Sequence, residues 1–264
     1  MRRGDMASRI AQLHVIDILF TGMVSLEFED YIPKLESSYQ KRADLPQNTR
    51  RAKLMLNIIK TSSEDHFNET GAGIIASLLQ SNPRAILGLA TGSTPVGVYG
   101  KLIELYRKGS VSFKQATTYN LDEYIGLPAD HPESYRRFMD EKLFNHIDIL
   151  PENTHVPSGV EADPQKAAED YSRLLDEAGQ IDLQLLGLGH NGHIGFNEPG
   201  EELQGPPHIV KLDERTRLAN ARFFNSIEEV PTHAITMGIG SILHAKQILL
   251  MAKGEDKAEV MPGR

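Results

Sequence analysis

GLGHNGHIGFNEPG, residues 187–200, follows an apolar run and admits two readings. Its first half, Gly187 to Gly192, fits G-x-G-x-x-G, the turn that seats a dinucleotide in a Rossmann βαβ unit. Such a turn needs a helix to start at its third glycine, so that the helix dipole faces the pyrophosphate. Here Gly192 is followed by His193, Ile194, Gly195, Phe196, Asn197, Glu198, Pro199 and Gly200. Gly195 is poor for a helix, and Pro199-Gly200 ends one. Asp213 stands about 20 positions on, where a ribose-binding acid would lie, but in an acidic chain that is weak support. The fingerprint is read as accidental.

Two kinds of chemistry remain for the loop. His190 and His193 are spaced to share a helical turn, with Glu198 as the nearest further metal ligand. The glycines work against that helix, so the metal reading is the weaker one. Acid–base catalysis is the stronger. Histidine takes and returns protons near neutral pH, and a carboxylate such as Glu198 can orient it and stabilise its charged form. No serine or cysteine nucleophile sits beside it, so proton transfer fits better than acyl transfer.

Outward from this loop, strands alternate with helices. Residues 56–59, 85–89, 116–121, 181–186, 234–238 and 247–252 read as strands. Helices are expected from Ser62 or Ser63 to about Gln80, from Pro95 to about Lys108, and over 133–146, 163–178 and 212–224. The order predicts an α/β fold with a Rossmann-like, mostly parallel sheet and helices on both faces. Ligands in such folds bind at the carboxyl ends of the strands, which directs attention to two more loops.

One is LATGSTPVGVY, residues 89–99. Gly92, Ser93 and Thr94 lie between a strand and a helix. A close backbone, hydroxyl donors and a helix N-terminus make a phosphate cradle, though a plain capped turn would look the same. It is not a Walker A loop, since no Gly-Lys-Ser/Thr follows. The other is YNLDEYIGLP, residues 119–128. Asp122 and Glu123 stand just past a strand end. A carboxylate there can abstract a carbon-bound proton, or it can be a solvated turn or a helix cap.

The totals set limits. The 264 residues suffice for one large α/β domain or two small ones, and the net charge of −8 argues against sequence-independent nucleic-acid binding. With no cysteine there is no disulfide, thiolate nucleophile, iron–sulfur cluster or zinc–thiolate site, which fits a cytoplasmic protein. No apolar run approaches the roughly 20 residues of a membrane span. The basic-then-apolar start is interrupted by Gln12, His14 and Asp17 and lacks a clear cleavage site, so it is not read as a signal peptide.

LGLATGSTPVGVY, YNLDEYIGLPADHPESY and LGLGHNGHIGFNEPG together resemble the signature segments of the glucosamine-6-phosphate deaminase family, in order and at its spacing, from about Met55 to Glu259. Lactonases of 6-phosphogluconate share the fold but do not normally carry the second and third segments together. The resemblance implies conversion of glucosamine 6-phosphate and water to fructose 6-phosphate and ammonia, with no metal and no organic cofactor. It implies that His193 is the ring-opening base, held by Glu198. Asp122 would move a proton from C2 to C1 through an enolamine. Gly92, Ser93 and Thr94 would hold the phosphate, with Arg222 and Lys257 as its cationic ligands. Asn191 stands where some members carry aspartate; it would orient His193 but stabilise an imidazolium less. The expected partner is a phosphosugar, with no nucleic acid and no membrane, and a homo-oligomer is possible. Two other functions compete. One is another phosphosugar enzyme of this fold, such as a lactonase. The other is a non-catalytic phosphosugar-binding module.

Both ends depart from the family. Residues 1–54 are expected to form a helical extension and linker: helices over 7–23 and 28–42, then the polar stretch 43–53. The segment resembles the tail of a sugar-isomerase (SIS) domain. Residues 55–264 are expected to be the deaminase-like domain, cut short after GEDKAEV, as in a joined and truncated reading frame. On that expectation activity or stability would suffer, unless the N-terminal helices supply the missing cover.

Overall fold

The computed structural model describes residues 20–23, 57–189, 191–199, 203–254 and 257. In chain order the elements are β1 (Phe20–Met23), β2 (Ile58–Thr61), α1 (Glu64–Ser81), β3 (Ile86–Leu89), α2 (Ser93–Arg107), β4 (Thr117–Asn120), β5 (Asp122–Tyr124) and α3 (Tyr135–Lys142). They continue with β6 (Thr154–His155), α4 (Pro164–Ala178), β7 (Leu183–Gly187), β8 (His208–Lys211), α5 (Glu214–Asn220), β9 (His233–Thr236), α6 (Ile239–Leu243) and β10 (Ile248–Ala252). A large sheet runs β2-β1-β10-β7-β3-β4-β6, and each of its pairings is parallel. A small sheet, β5-β9-β8, is antiparallel.

Period-two alternation covers both faces of the large sheet. Leu183 and Leu185 of β7, with Leu249 and Met251 of β10, pack into one core with Phe67 and Ile75 of α1 and Val98, Tyr99 and Leu102 of α2. Leu186, Ile248 and Leu250 face the other way, onto Tyr171 and Leu175 of α4 and Ile239 and Ile242 of α6. Each such side chain contributes roughly 1.5–3 kcal/mol by leaving water. Strands buried on both faces read as near-continuous apolar runs, which is why β10, and β7 apart from its buried Gln184, stand out in the sequence.

The helix starts follow from capping chemistry. Ser63 accepts the His66 backbone N–H at 3.1 Å, and Glu64 and Asp65 occupy the first turn, where the dipole favours them. Asp163 accepts the Gln165 N–H at 3.0 Å, with Pro164 opening α4. Helix α2 begins at Ser93, before the expected Pro95. Pro95 falls within the first turn, where a backbone N–H has no intrahelical partner to lose.

Several expectations are corrected. Phe20–Met23 is not the end of a helix but a strand between β2 and β10. Gly22 weakens a helix there by about 1 kcal/mol, and pairing on both sides satisfies the backbone. The remainder of the 1–54 expectations, the two helices, the linker and the SIS-like tail, lies outside the described residues. Asp122–Tyr124 is a strand rather than a loop, and His233–Thr236 belongs to the small sheet rather than the parallel one. Strands β6 and β8 and helix α6 lack the length that periodicity needs to be seen.

The two sheets meet where the site is. Leu121 N–H donates to Leu89 O at 3.1 Å, continuing the parallel ladder, and Leu121 O accepts from Met237 N–H at 2.6 Å. The next residue is Asp122. The carboxyl ends of β3, β7 and β10 lie side by side, so the segments that begin at Ala90, Leu188 and Lys253 leave the sheet at one edge.

Candidate active site

Asp122 and Glu123 share a strand but not a role, because successive side chains on a strand point to opposite faces. Glu123 accepts the backbone N–H groups of Tyr124 at 2.8 Å, Tyr135 at 2.9 Å and Arg136 at 2.9 Å. It caps α3, alongside Ser134, which accepts from Arg137 at 3.1 Å. The cap reading of this loop is right for Glu123. Burial pushes its carboxyl above the ordinary range, and the backbone N–H bonds oppose that.

Asp122 lies opposite Thr236 in the small sheet and is 5% exposed. Burial, aided by the neighbouring Glu123 charge, pushes its carboxyl up to about 8. Its other neighbour is the loop 188–199. Gly195 has φ +60, and a β-carbon on it would stand 3.0 Å from Thr236 Oγ1 and 3.2 Å from Asp122 Oδ2. Glycine at this position lets the loop backbone come down on the carboxylate.

The loop itself is a folded turn, with no helix at Gly192. Gly189 N–H donates to His193 O at 2.9 Å, and Ile194 and Asn197 form a one-rung antiparallel bridge. The His193 ring lies across Gly189, so close that a β-carbon there would be 2.3 Å from Cδ2 and Nε2. Asn191 stands between His193 and Glu198. Its Nδ2 donates to Glu198 Oε2 at 2.6 Å, and its Oδ1 accepts from the His193 backbone N–H at 3.2 Å. Oδ1 also lies 2.7 Å from His193 Nδ1. An amide oxygen only accepts, so Nδ1 carries the proton and the neutral ring keeps its basic lone pair on Nε2. Glu198 Oε1 is 3.8 Å from Nδ1. Among the described residues no group of three His, Asp or Glu side chains could hold a metal ion. His190, which the metal reading required, lies outside them.

The expected phosphate cradle sits at the start of α2. Gly92 has φ 90, and no side chain caps the helix. Ser93 is exposed and Thr94 half-buried. A β-carbon on Gly187, where the loop departs, would lie 3.9 Å from Thr94 Oγ1, so cradle and loop are neighbours. Lys257 lies on the turn after β10, at the same sheet edge. Arg222 is exposed on the 3-10 turn Ala221–Phe223 that follows α5. Asn220, just before that turn, donates to the Tyr124 hydroxyl at 2.7 Å, which ties the segment to β5.

Thus Asn191, His193 and Glu198 form one bonded group, Asp122 abuts the same loop, and Gly92–Thr94 flank its start. Residue-level reading passed over Tyr124, marked Asn197 as chemically capable without giving it a role, and passed over Thr236. The first two lie inside the quoted motifs; Thr236 carries no local signal at all.

The family described as glucosamine-6-phosphate isomerases/6-phosphogluconolactonase matches residues 60–263. The glucosamine-6-phosphate deaminase of Bacillus pumilus (strain SAFR-032) is 52% identical over 206 residues, covering 78% of this chain and 86% of that protein. That of Thermoanaerobacter sp. (strain X514) is 49% identical over 206 residues, covering 78% and 81%. A solved monomeric glucosamine-6-phosphate deaminase superposes with a TM-score of 0.73 at 46% identity, over 75% of this chain and 83% of that one. The 6-phosphogluconolactonase of Trypanosoma brucei, at 20% identity and a TM-score of 0.59 over 75% and 82%, shares the fold.

Proposed function

Because this chain belongs to the glucosamine-6-phosphate isomerase/6-phosphogluconolactonase family, we propose that it is a deaminase, converting glucosamine 6-phosphate and water to fructose 6-phosphate and ammonia. The observation that carries this reading is the pair of separate proton-transfer groups around one loop: Asp122 on one side, and His193 held by Asn191 and Glu198 on the other. A lactone hydrolase has no use for a second base aimed at a carbon-bound proton.

In this reading the phosphate settles at Gly92, Ser93 and Thr94, where open backbone N–H groups and the dipole of α2 favour an anion. Arg222 and Lys257 supply the matching positive charge. His193 Nε2 takes the proton from the O1 hydroxyl and returns one to O5, opening the pyranose. The open chain has an aldehyde at C1, which acidifies the C2 hydrogen. Asp122, as carboxylate, takes that proton and delivers it to C1. The enolamine becomes a ketimine at C2, which water hydrolyses to the ketone and ammonia. The protein's groups move protons, while water forms the new C–O bond at C2 and the C–N bond breaks to release ammonia. Burial of Asp122 suits the task, since a base with a raised pKa is better matched to a carbon acid.

The family match spans residues 60–263, and each residue given a role in this reading lies within it. Among the described residues no helix is long and apolar enough to cross a membrane. A substrate bearing a phosphate dianion stays in the compartment where it is made, which supports the cytoplasm as its location.

Supplying the purified chain with glucosamine 6-phosphate and, separately, with 6-phosphogluconolactone tests the assignment. Ammonia appearing in step with fructose 6-phosphate supports it. Lactone hydrolysis without ammonia supports the lactonase instead, and tight phosphosugar binding with no turnover supports a sensing module.

A further inference from the structure

Asp122 comes from the junction of the two sheets, while His193 and Glu198 come from a glycine-rich loop. Their mutual placement depends on what joins loop to sheet. The side chain that bonds to both is a buried carboxamide. Asn197 Nδ2 donates to Ile194 O at 3.0 Å and to Met237 O at 2.9 Å. Met237 N–H in turn donates to Leu121 O at 2.6 Å.

The members of this chain of bonds are telling. Leu121 precedes Asp122, Ile194 follows His193, and Asn197 precedes Glu198. Each proposed proton-transfer residue is therefore one peptide unit from a link in the same chain. A residue that only closed the turn would need the bond to Ile194 alone, since the Asn197 N–H already reaches Ile194 O at 3.0 Å. The bond to Met237 crosses to the other sheet. One neighbouring tie runs in parallel: Phe196 N–H donates to Thr236 Oγ1 at 3.1 Å, and Thr236 faces Asp122.

We propose that Asn197 is a positioning residue that sets the separation between the ring-opening group and the C2–C1 base. The inference rests on the deaminase reading. It also explains why a carboxamide is needed. One NH2 group donates to two carbonyl oxygens at once, of which Met237 O is reached by the side chain alone. Ionised aspartate has the same shape and donates to neither.

The test is steady-state deaminase kinetics of the full chain with Asn197→Asp, beside wild type, with melting followed on the same samples. A misplacement on the ångström scale predicts kcat down by about a hundredfold with KM changed less than about threefold, well below the melting temperature. A variant that melts earlier but keeps wild-type kcat and KM overturns the proposal, as does one that loses KM alone. If Asn197→Asp does not fold, Thr236→Val, which keeps the shape and removes the parallel tie, must show the same kcat-selective loss; wild-type kcat in that variant overturns the proposal. An inactive wild type would instead count against the deaminase reading itself.

Discussion

Asn191 Oδ1 accepts from both the ring Nδ1 and the backbone N–H of His193, at 2.7 and 3.2 Å. These two bonds fix the ring's tautomer and its plane, and the Asn191 Nδ2 bond to Glu198 fixes the carboxylate relative to them. Asn191→Ala removes all three at once from an exposed side chain. It should lower kcat by about a hundredfold or more, as loss of an orienting group does elsewhere, while leaving the melting temperature near wild type. Unchanged kcat would mean that His193 needs no orienter.

Gly189 makes a sharper test of the same ring. Its φ is not positive, so alanine meets no backbone strain there. The cost falls on the 2.3 Å approach of a new β-carbon to the imidazole. Gly189→Ala should displace the ring and lower kcat by about a hundredfold, at a stability cost of about 1–3 kcal/mol. Kinetics and urea melts of one preparation separate the two effects.

The raised pKa of Asp122 sets the pH behaviour. A general base must be ionised, so kcat/KM should fall as pH falls below about 8. The substrate's own ammonium favours the carboxylate once bound, so the acidic limb of kcat should lie at lower pH than that of kcat/KM. Stability runs the other way. The folded pKa exceeds the ordinary 3.8, so this group's contribution is full below 3.8 and is lost as pH rises to about 8. Asp122→Asn, neutral throughout, should gain melting temperature over wild type across that window while losing activity. A constant gap across the window would contradict the assignment.

Glu123→Gln should separate the two adjacent carboxylates. Its new NH2 must face a backbone N–H of α3 or Tyr124, donor against donor, which should cost about 1–3 kcal/mol. Removing the neighbouring charge should also move the acidic limb of kcat/KM to lower pH, since Glu123 helps raise Asp122. The variant should remain active, because Glu123 holds a helix.

The parallel sheet was legible because β3, β7 and β10 are buried on both faces and read as apolar runs. The three loops were legible because glycines, histidines and carboxylates directly follow the strands read at 85–89, 116–121 and 181–186. The small sheet was not. Asp122–Tyr124 is three polar or aromatic residues, and its partners lie about a hundred positions away, beyond any local pattern. For the same reason the local residue pattern did not tell Asp122 from Glu123; the family resemblance alone did. Their difference is which face of a short strand each occupies. Asn197 was visible inside the motif, yet its second bond, to Met237, exists only in three dimensions.

The central claim is that Asp122 and His193 move different protons of one reaction. Ammonia release from glucosamine 6-phosphate by wild type, Asp122→Asn and His193→Gln tests it most directly. The account predicts turnover by wild type and losses of about 10²–10⁴-fold in both variants, with each still folded and still binding the phosphosugar. Near-wild-type release by folded Asp122→Asn would contradict it.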